Sequence, residues 1–172
     1  MTERQMAYAL TYSQLSPFYF RSHYVVPNVY RGLHFSHEMD LLAVNPKSRI
    51  GTEVEIKVSK SDLKRDAEKK HGHFDRRIRQ LYFAVPADLL DAAFEHVPPE
   101  AGIITVFRNS GGAWAEGKYR CTVRCRAKPS KYYTEPFTER EITELLRLGN
   151  MRYWSVQGKI LGNNGGTVYD RS

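Results

Sequence analysis

The chain has 172 residues and a mass of 19.9 kDa, enough for one domain with a single core. Its 41% hydrophobic and 26% charged residues exclude wholesale disorder, and no apolar run is long enough to span a membrane. The balance of 26 Lys and Arg over 19 Asp and Glu gives a net charge of +7, which favours a polyanionic partner.

Residues 1–10 lack the apolar stretch of a signal peptide, so a soluble, cytoplasmic protein is expected. Thr2 and Gln5 form a capping-box pair that predicts a short helix from about Glu3. Phe18, Tyr19, Phe20, Tyr24 and Tyr30 then predict an extended strand interrupted at Pro27. Met39 to Val44 reads as a strand ending in the turn Asn45-Pro46-Lys47-Ser48, and Gly51 to Val58 as its hairpin partner. Ser59 or Ser61 caps a predicted helix running to about Ile78 and weakened at Gly72. Gln80 to Val85 is a buried strand, and Pro86 starts a helix through Phe94 and His96 that Pro98-Pro99 stops. Further strands are expected over Gly102–Phe107, Ala113–Glu116 and Tyr119–Arg126, with Gly111-Gly112 as a turn. Thr138 with Glu141 opens a last helix with Ile142, Leu145 and Leu146 on one face. The order predicts an α/β fold, a mixed central sheet flanked by helices, as one domain over residues 1–157 with 158–172 as a flexible tail.

The strand Gly51-Thr52-Glu53-Val54-Glu55-Ile56-Lys57-Val58 carries the chemistry. Residues two apart share a strand face, so Glu53, Glu55 and Lys57 project together while Val54, Ile56 and Val58 meet the core. Asp40, on the preceding strand, is in position to approach Glu55. Two carboxylates near a backbone carbonyl make a hard oxygen site suited to Mg2+, and a neighbouring Lys can orient water or neutralise charge on a phosphodiester. The competing reading is an amphipathic strand that shows water its polar face. An acid, any residue, then Lys also occurs at Asp62-Lys64, Glu68-Lys70 and Glu116-Lys118, so the tripeptide alone carries no information. Only Glu55-Lys57 lies in a β-branched strand preceded by an Asp.

Asp40-Leu41-Leu42-Ala43-Val44, Glu53-Val54-Glu55-Ile56-Lys57-Val58-Ser59, the polar helix and Gln80-Leu81-Tyr82-Phe83-Ala84-Val85-Pro86 resemble the PD-(D/E)xK nuclease superfamily. More narrowly, they are similar to its MmcB-type DNA-repair branch, over about Val25 to Val106. The resemblance implies a restriction-endonuclease-like core and Mg2+-dependent cleavage of DNA, with Mn2+ as a substitute ion. It implies Asp40, Glu55 and the Ile56 carbonyl as metal ligands and Lys57 as catalytic base. Met39 stands where the superfamily has its Pro. Glu38, Glu53 and Gln80 are accessory candidates, and an acid from the first helix (Glu3) is neither assigned nor excluded.

Between Lys57 and Arg79 nine basic residues meet four acids. Lys60, Lys64, Arg65, Lys69 and Lys70 are therefore expected to hold a nucleic-acid backbone, although a solvated helix of acid–base pairs has the same composition. His71 and His73 read as surface residues at a helix break, His37 as a turn histidine, and Cys121 and Cys125 as reduced. Trp114, Tyr132, Tyr133 and Trp154 are assigned to the core rather than to base stacking. The expected function is a DNA nuclease of repair or mobile-element biology, as a monomer or homodimer. The alternative is a non-catalytic nucleic-acid-binding protein on the same fold.

Overall fold

Thr2 caps the first helix, α1 (Glu3–Tyr12): its hydroxyl accepts from the Gln5 N–H at 3.3 Å, and the Gln5 side chain accepts from the Thr2 N–H at 3.0 Å. The computed structural model describes residues 1–30, 33–67, 75–109 and 119–160. After α1 come β1 (Tyr24–Val29), β2 (Met39–Val44), β3 (Gly51–Ile56), α2 (Lys60–Ala67) and β4 (Ile78–Pro86). A short 3-10 turn (Ala87–Leu89) leads into α3 (Leu90–His96), followed by β5 (Gly102–Arg108), β6 (Tyr119–Cys125) and α4 (Glu139–Ile160).

The strands form one six-stranded sheet in sequence order. β1–β2, β2–β3 and β5–β6 pair antiparallel, whereas β3–β4 and β4–β5 pair parallel. The parallel pairs are the two that α2 and α3 connect, because only a crossover returns the chain in the same direction. The fold is thus the expected α/β mixed sheet flanked by helices. α1 covers one sheet face, burying Met6, Ala9 and Leu10 against Leu41, Val54, Ile56, Tyr82 and Ile104. The other face carries two clusters: Leu42, Val44, Ile78, Phe137 and Leu145 under α4, and Leu63, Phe83, Val85, Ala93 and Ile103 under α2 and α3.

Several expectations are corrected. The segment 13–23 is not a strand; it folds back on α1, with the Phe20 N–H donating to the Thr11 carbonyl at 2.9 Å. Pro27 does not interrupt β1, because β1 is an edge strand where a missing donor is tolerated. The helix after Ser59 extends over Lys60–Ala67, and Ile78 opens β4 instead of closing a helix. Ile78 lies opposite Gly51, where a Cβ would come within 2.7 Å of its Cδ1, so glycine permits this pairing. Gly158 sits inside α4, which runs to Ile160, and residues 161–172 of the expected tail lie outside the described residues. Tyr132, Tyr133 and Trp154 are exposed rather than core. Trp114, Gly72, His71, His73, Gly111-Gly112 and the expected strand Ala113–Glu116 lie outside the described residues.

Candidate active site

The alternation of β3 works as expected in direction but not in solvation. Val54 and Ile56 enter the α1 cluster, and Glu53, Glu55 and Lys57 take the opposite face. Yet Glu53 is 0%, Glu55 3% and Lys57 8% exposed, so the polar face is roofed rather than wet. Burying three ionisable groups in one strand is costly unless each is paired, and each is. Glu53 Oε1 meets His37 Nε2 at 2.8 Å. Lys57 Nζ donates to Glu55 Oε2 at 2.5 Å, lies 3.1 Å from Asp66 Oδ1, and is 4.0 Å from Asp40 Oδ2.

Asp40 belongs to the same constellation. Its Oδ2 accepts from the Ile56 N–H at 2.8 Å, which fixes it across the end of β3, and its side chain is 34% exposed. Asp40 and Ile56 line a cleft of about 550 Å³ with Glu3, Arg4 and Ala7 of α1, Pro27 and Asn28 of β1, and Val156 and Lys159 of α4. One ammonium therefore reaches Asp40 and Glu55 together, and of these three side chains Asp40 is the one that lines the cleft. Burial opposes the Lys57 charge, but Glu55 first, then Asp66 and Asp40, outweighs it and holds the amine above the ordinary lysine range. In this state Lys57 donates hydrogen bonds. It can accept a proton only once a cation answers the surrounding carboxylates.

The donor chemistry fits a hard divalent ion: Asp40 and Glu55 supply carboxylate oxygens, and Ile56 and Glu3 border the same cleft. Among the described residues no group of three His, Cys, Asp or Glu is close enough to hold an ion by itself, so water or substrate oxygens would complete the shell. The accessory candidates divide. Glu53 lies on the Glu55 face but is engaged by His37, and Glu38 is exposed beside β2. Gln80 is not brought to the site: it pairs with Thr52, and its amide donates to the Ala127 carbonyl at 2.9 Å.

Asp66 is the residue the sequence reading missed. It follows Leu63 by three positions, the spacing that shares a helix face, and Leu63 is 1% exposed; the one legible sign was a lone Leu63 in an otherwise polar helix. His37 is no mere turn residue, since it closes over Glu53. The basic stretch is less uniform than its composition implied. Lys57 and Arg77 are interior; Lys60 pairs with Glu95 at 3.4 Å, and Arg65 with Asp62. Lys60, Lys64 and Arg65 are all exposed; Lys69 and Lys70 lie outside the described residues. Cys121 is buried, which pushes its thiol up to about 12, and both cysteines are free.

No family model, no curated protein and no solved structure matches the chain.

Proposed function

We propose that this protein is a metal-dependent nuclease that hydrolyses phosphodiester bonds in DNA, in repair or mobile-element biology. The observation that supports this reading is a buried lysine, Lys57, within 4.0 Å of both Asp40 and Glu55 beside an open cleft. Asp40, Glu55 and the Ile56 carbonyl would hold Mg2+ or Mn2+, which supplies Lewis acidity toward a phosphate oxygen when bound. The chain's own groups do the rest. Asp40, tied to the Ile56 N–H, keeps its carboxylate at the cleft. Lys57 presents a fixed positive charge to a phosphodiester gaining negative charge, and Asp66 keeps that ammonium in place. Exposed Lys60, Lys64 and Arg65 on α2 contribute non-specific attraction for phosphates.

The test is cleavage of single-stranded, duplex and branched DNA with and without Mg2+ or Mn2+. Asp40→Asn and Glu55→Gln should abolish ion-dependent cleavage, and Lys57→Ala should slow it by about 10²–10⁴-fold. Wild-type cleavage in all three variants overturns the proposal. One observation favours the non-catalytic alternative: Glu55 is 3% exposed and already engaged by Lys57 at 2.5 Å. On that reading nucleic-acid binding falls steeply with salt while no cleavage accompanies it.

A further inference from the structure

Beside the cleft, α1 carries a feature that neither the core nor the carboxylate site uses. Arg4, Tyr8 and Tyr12 recur every four residues and so lie along one side of the helix. Arg4 lines the cleft that Asp40 and Ile56 share. Tyr8 and Tyr12, 52% and 54% exposed, continue the row away from it. Their rings stack with centroids 4.7 Å apart and planes 12° from parallel. Phe20, 43% exposed, extends the row at 5.0 Å from Tyr12, with Tyr19 edge-on to it at 4.8 Å and the Arg21 guanidinium 5.9 Å from its centroid.

These rings are not displaced core residues. The hydrophobic contact from this loop is made by Phe18, 4% exposed and packed edge-on against Tyr82. Phe20 is instead held outward by its backbone bond to the Thr11 carbonyl. Along the chain, residues 4–37 contain no Asp or Glu, and Arg4 and Arg21 stand at the two ends of the row, while Glu3 and Asp40 line the cleft itself. An exposed ladder of rings with an arginine at each end combines stackable faces with attraction for an anion.

We propose that the Tyr8–Tyr12–Phe20 row is a stacking platform for the bases of single-stranded DNA, with Arg4 and Arg21 attracting the phosphates on either side. Duplex DNA is the poorer occupant, because its base faces are already covered by neighbouring pairs, whereas unpaired bases offer theirs. The inference deepens the proposed nuclease reading, on which it rests for the destination of the strand. It names single-stranded segments as the substrate class.

The test is fluorescence anisotropy with labelled oligothymidylate and with a blunt DNA hairpin closed by a polyether linker, so that it has no unpaired base, in EDTA so that binding is read apart from cleavage. Tyr8→Ala, Tyr12→Ala and Phe20→Ala should each weaken oligothymidylate binding by about 5- to 160-fold, the range for one lost base–ring stack. Tyr8→Phe and Tyr12→Phe should bind like wild type, since they keep the ring and lose only the hydroxyl. Hairpin affinity and the slope of log affinity against log salt should not move, because no phosphate contact is removed. Unchanged oligothymidylate binding in all three alanine variants overturns the proposal, as does an equal loss for the hairpin. So does a wild-type dimer in sedimentation that the alanine variants dissociate, which would assign the row to a second copy of the chain. If an alanine variant misfolds, Tyr8→Leu, Tyr12→Leu or Phe20→Leu, which keep apolar bulk and lose the ring face, take its place with the same expected loss. Ring-dependent binding in a protein that cleaves nothing with Mg2+ would leave this inference standing and remove the nuclease reading. Metal-dependent cleavage with ring-independent binding would do the reverse.

Discussion

Two buried charged clusters sit on the same side of the sheet and differ in how completely their charges are answered. Around Arg77 the fit is closed. Its Nε and Nη2 each donate to Asp75 at 2.8 Å, while Nη1 reaches Glu141 at 2.7 Å and the Leu33 carbonyl at 3.0 Å. Phe35 and Phe137 lie 4.2 and 5.3 Å from the guanidinium carbon. The carboxylates are also served by backbone: Asp75 by the Arg77 N–H, and Glu141 by the Thr138 N–H. Around Lys57, a single ammonium is shared among Glu55, Asp66 and Asp40, and Asp40 opens to a cleft. Arg77 ties β4, α4 and the loop at Leu33 into one unit. Lys57 sits in an excess of carboxylate with a route to solvent, which is what a cation-dependent site needs and a structural staple does not.

The sharpest way to break this comparison is Arg77→Met. It leaves Asp75, whose side chain is 11% exposed, without its bidentate partner, and removes the link to Glu141. Loss of one partner from a buried pair costs about 3–5 kcal/mol. The denaturant midpoint should fall accordingly, and Mg2+ should restore none of it. A midpoint within experimental error of wild type would show that the cluster is not a staple.

Lys57→Met should behave differently. It is also destabilising in EDTA, because Glu55, Asp66 and Asp40 lose their shared cation. Here a divalent ion can take the ammonium's place, and at a concentration one hundred times its dissociation constant it should return about 2.7 kcal/mol. The measurement is urea unfolding with and without Mg2+. Equal midpoints in the two conditions would mean that this carboxylate excess does not bind cations, and the contrast with Arg77 would lose its functional meaning.

The same contrast explains what was legible in the sequence. Period-two alternation in β3 and the hairpin with β2 put Asp40, Glu55 and Lys57 at one place, because register is a local property. Whether that face met water was not local. It depends on α2 and α4 crossing the sheet, and strand alternation reads the same on a solvated face and a roofed one. Asp66 and Arg77 were hidden for a related reason: each sits in a charged run whose composition resembles a solvated helix. Arg77 finds Glu141 across 64 residues of sequence. Capping boxes were readable at Thr2 and Thr138 because both partners lie three residues apart. The start of β4 was not, since pairing with Gly51 rather than helix propensity decides where Ile78 goes.

The smallest expected effect is an acid limb that belongs to the Arg77 cluster. Burial alone would raise Asp75, but the side-chain and backbone bonds from Arg77, with its charge, hold it below the ordinary value of 3.8. Glu141 is held below 4.5 against its partial burial by the Thr138 backbone and hydroxyl and by Arg77. Arg77 itself stays charged, its affinity for protons raised chiefly by Asp75. Carboxylates with depressed folded values stabilise the protein fully above their unfolded values. They lose that contribution as pH falls through the folded ones. Stability should therefore be level with respect to these two groups near neutrality and begin to fall below about pH 4.5. Each proton taken up adds a slope of about 1.4 kcal/mol per pH unit at most. Arg77→Met removes the guanidinium bonds and charge that contribute to both depressions, leaving Thr138 on Glu141 and the backbone N–H of residue 77 on Asp75, so the variant, though less stable, should show a flatter acid limb than wild type. Urea midpoints at intervals between pH 6 and pH 3 measure both limbs. Parallel limbs would show that acid lability originates elsewhere, with the carboxylates around Lys57 as the next candidates.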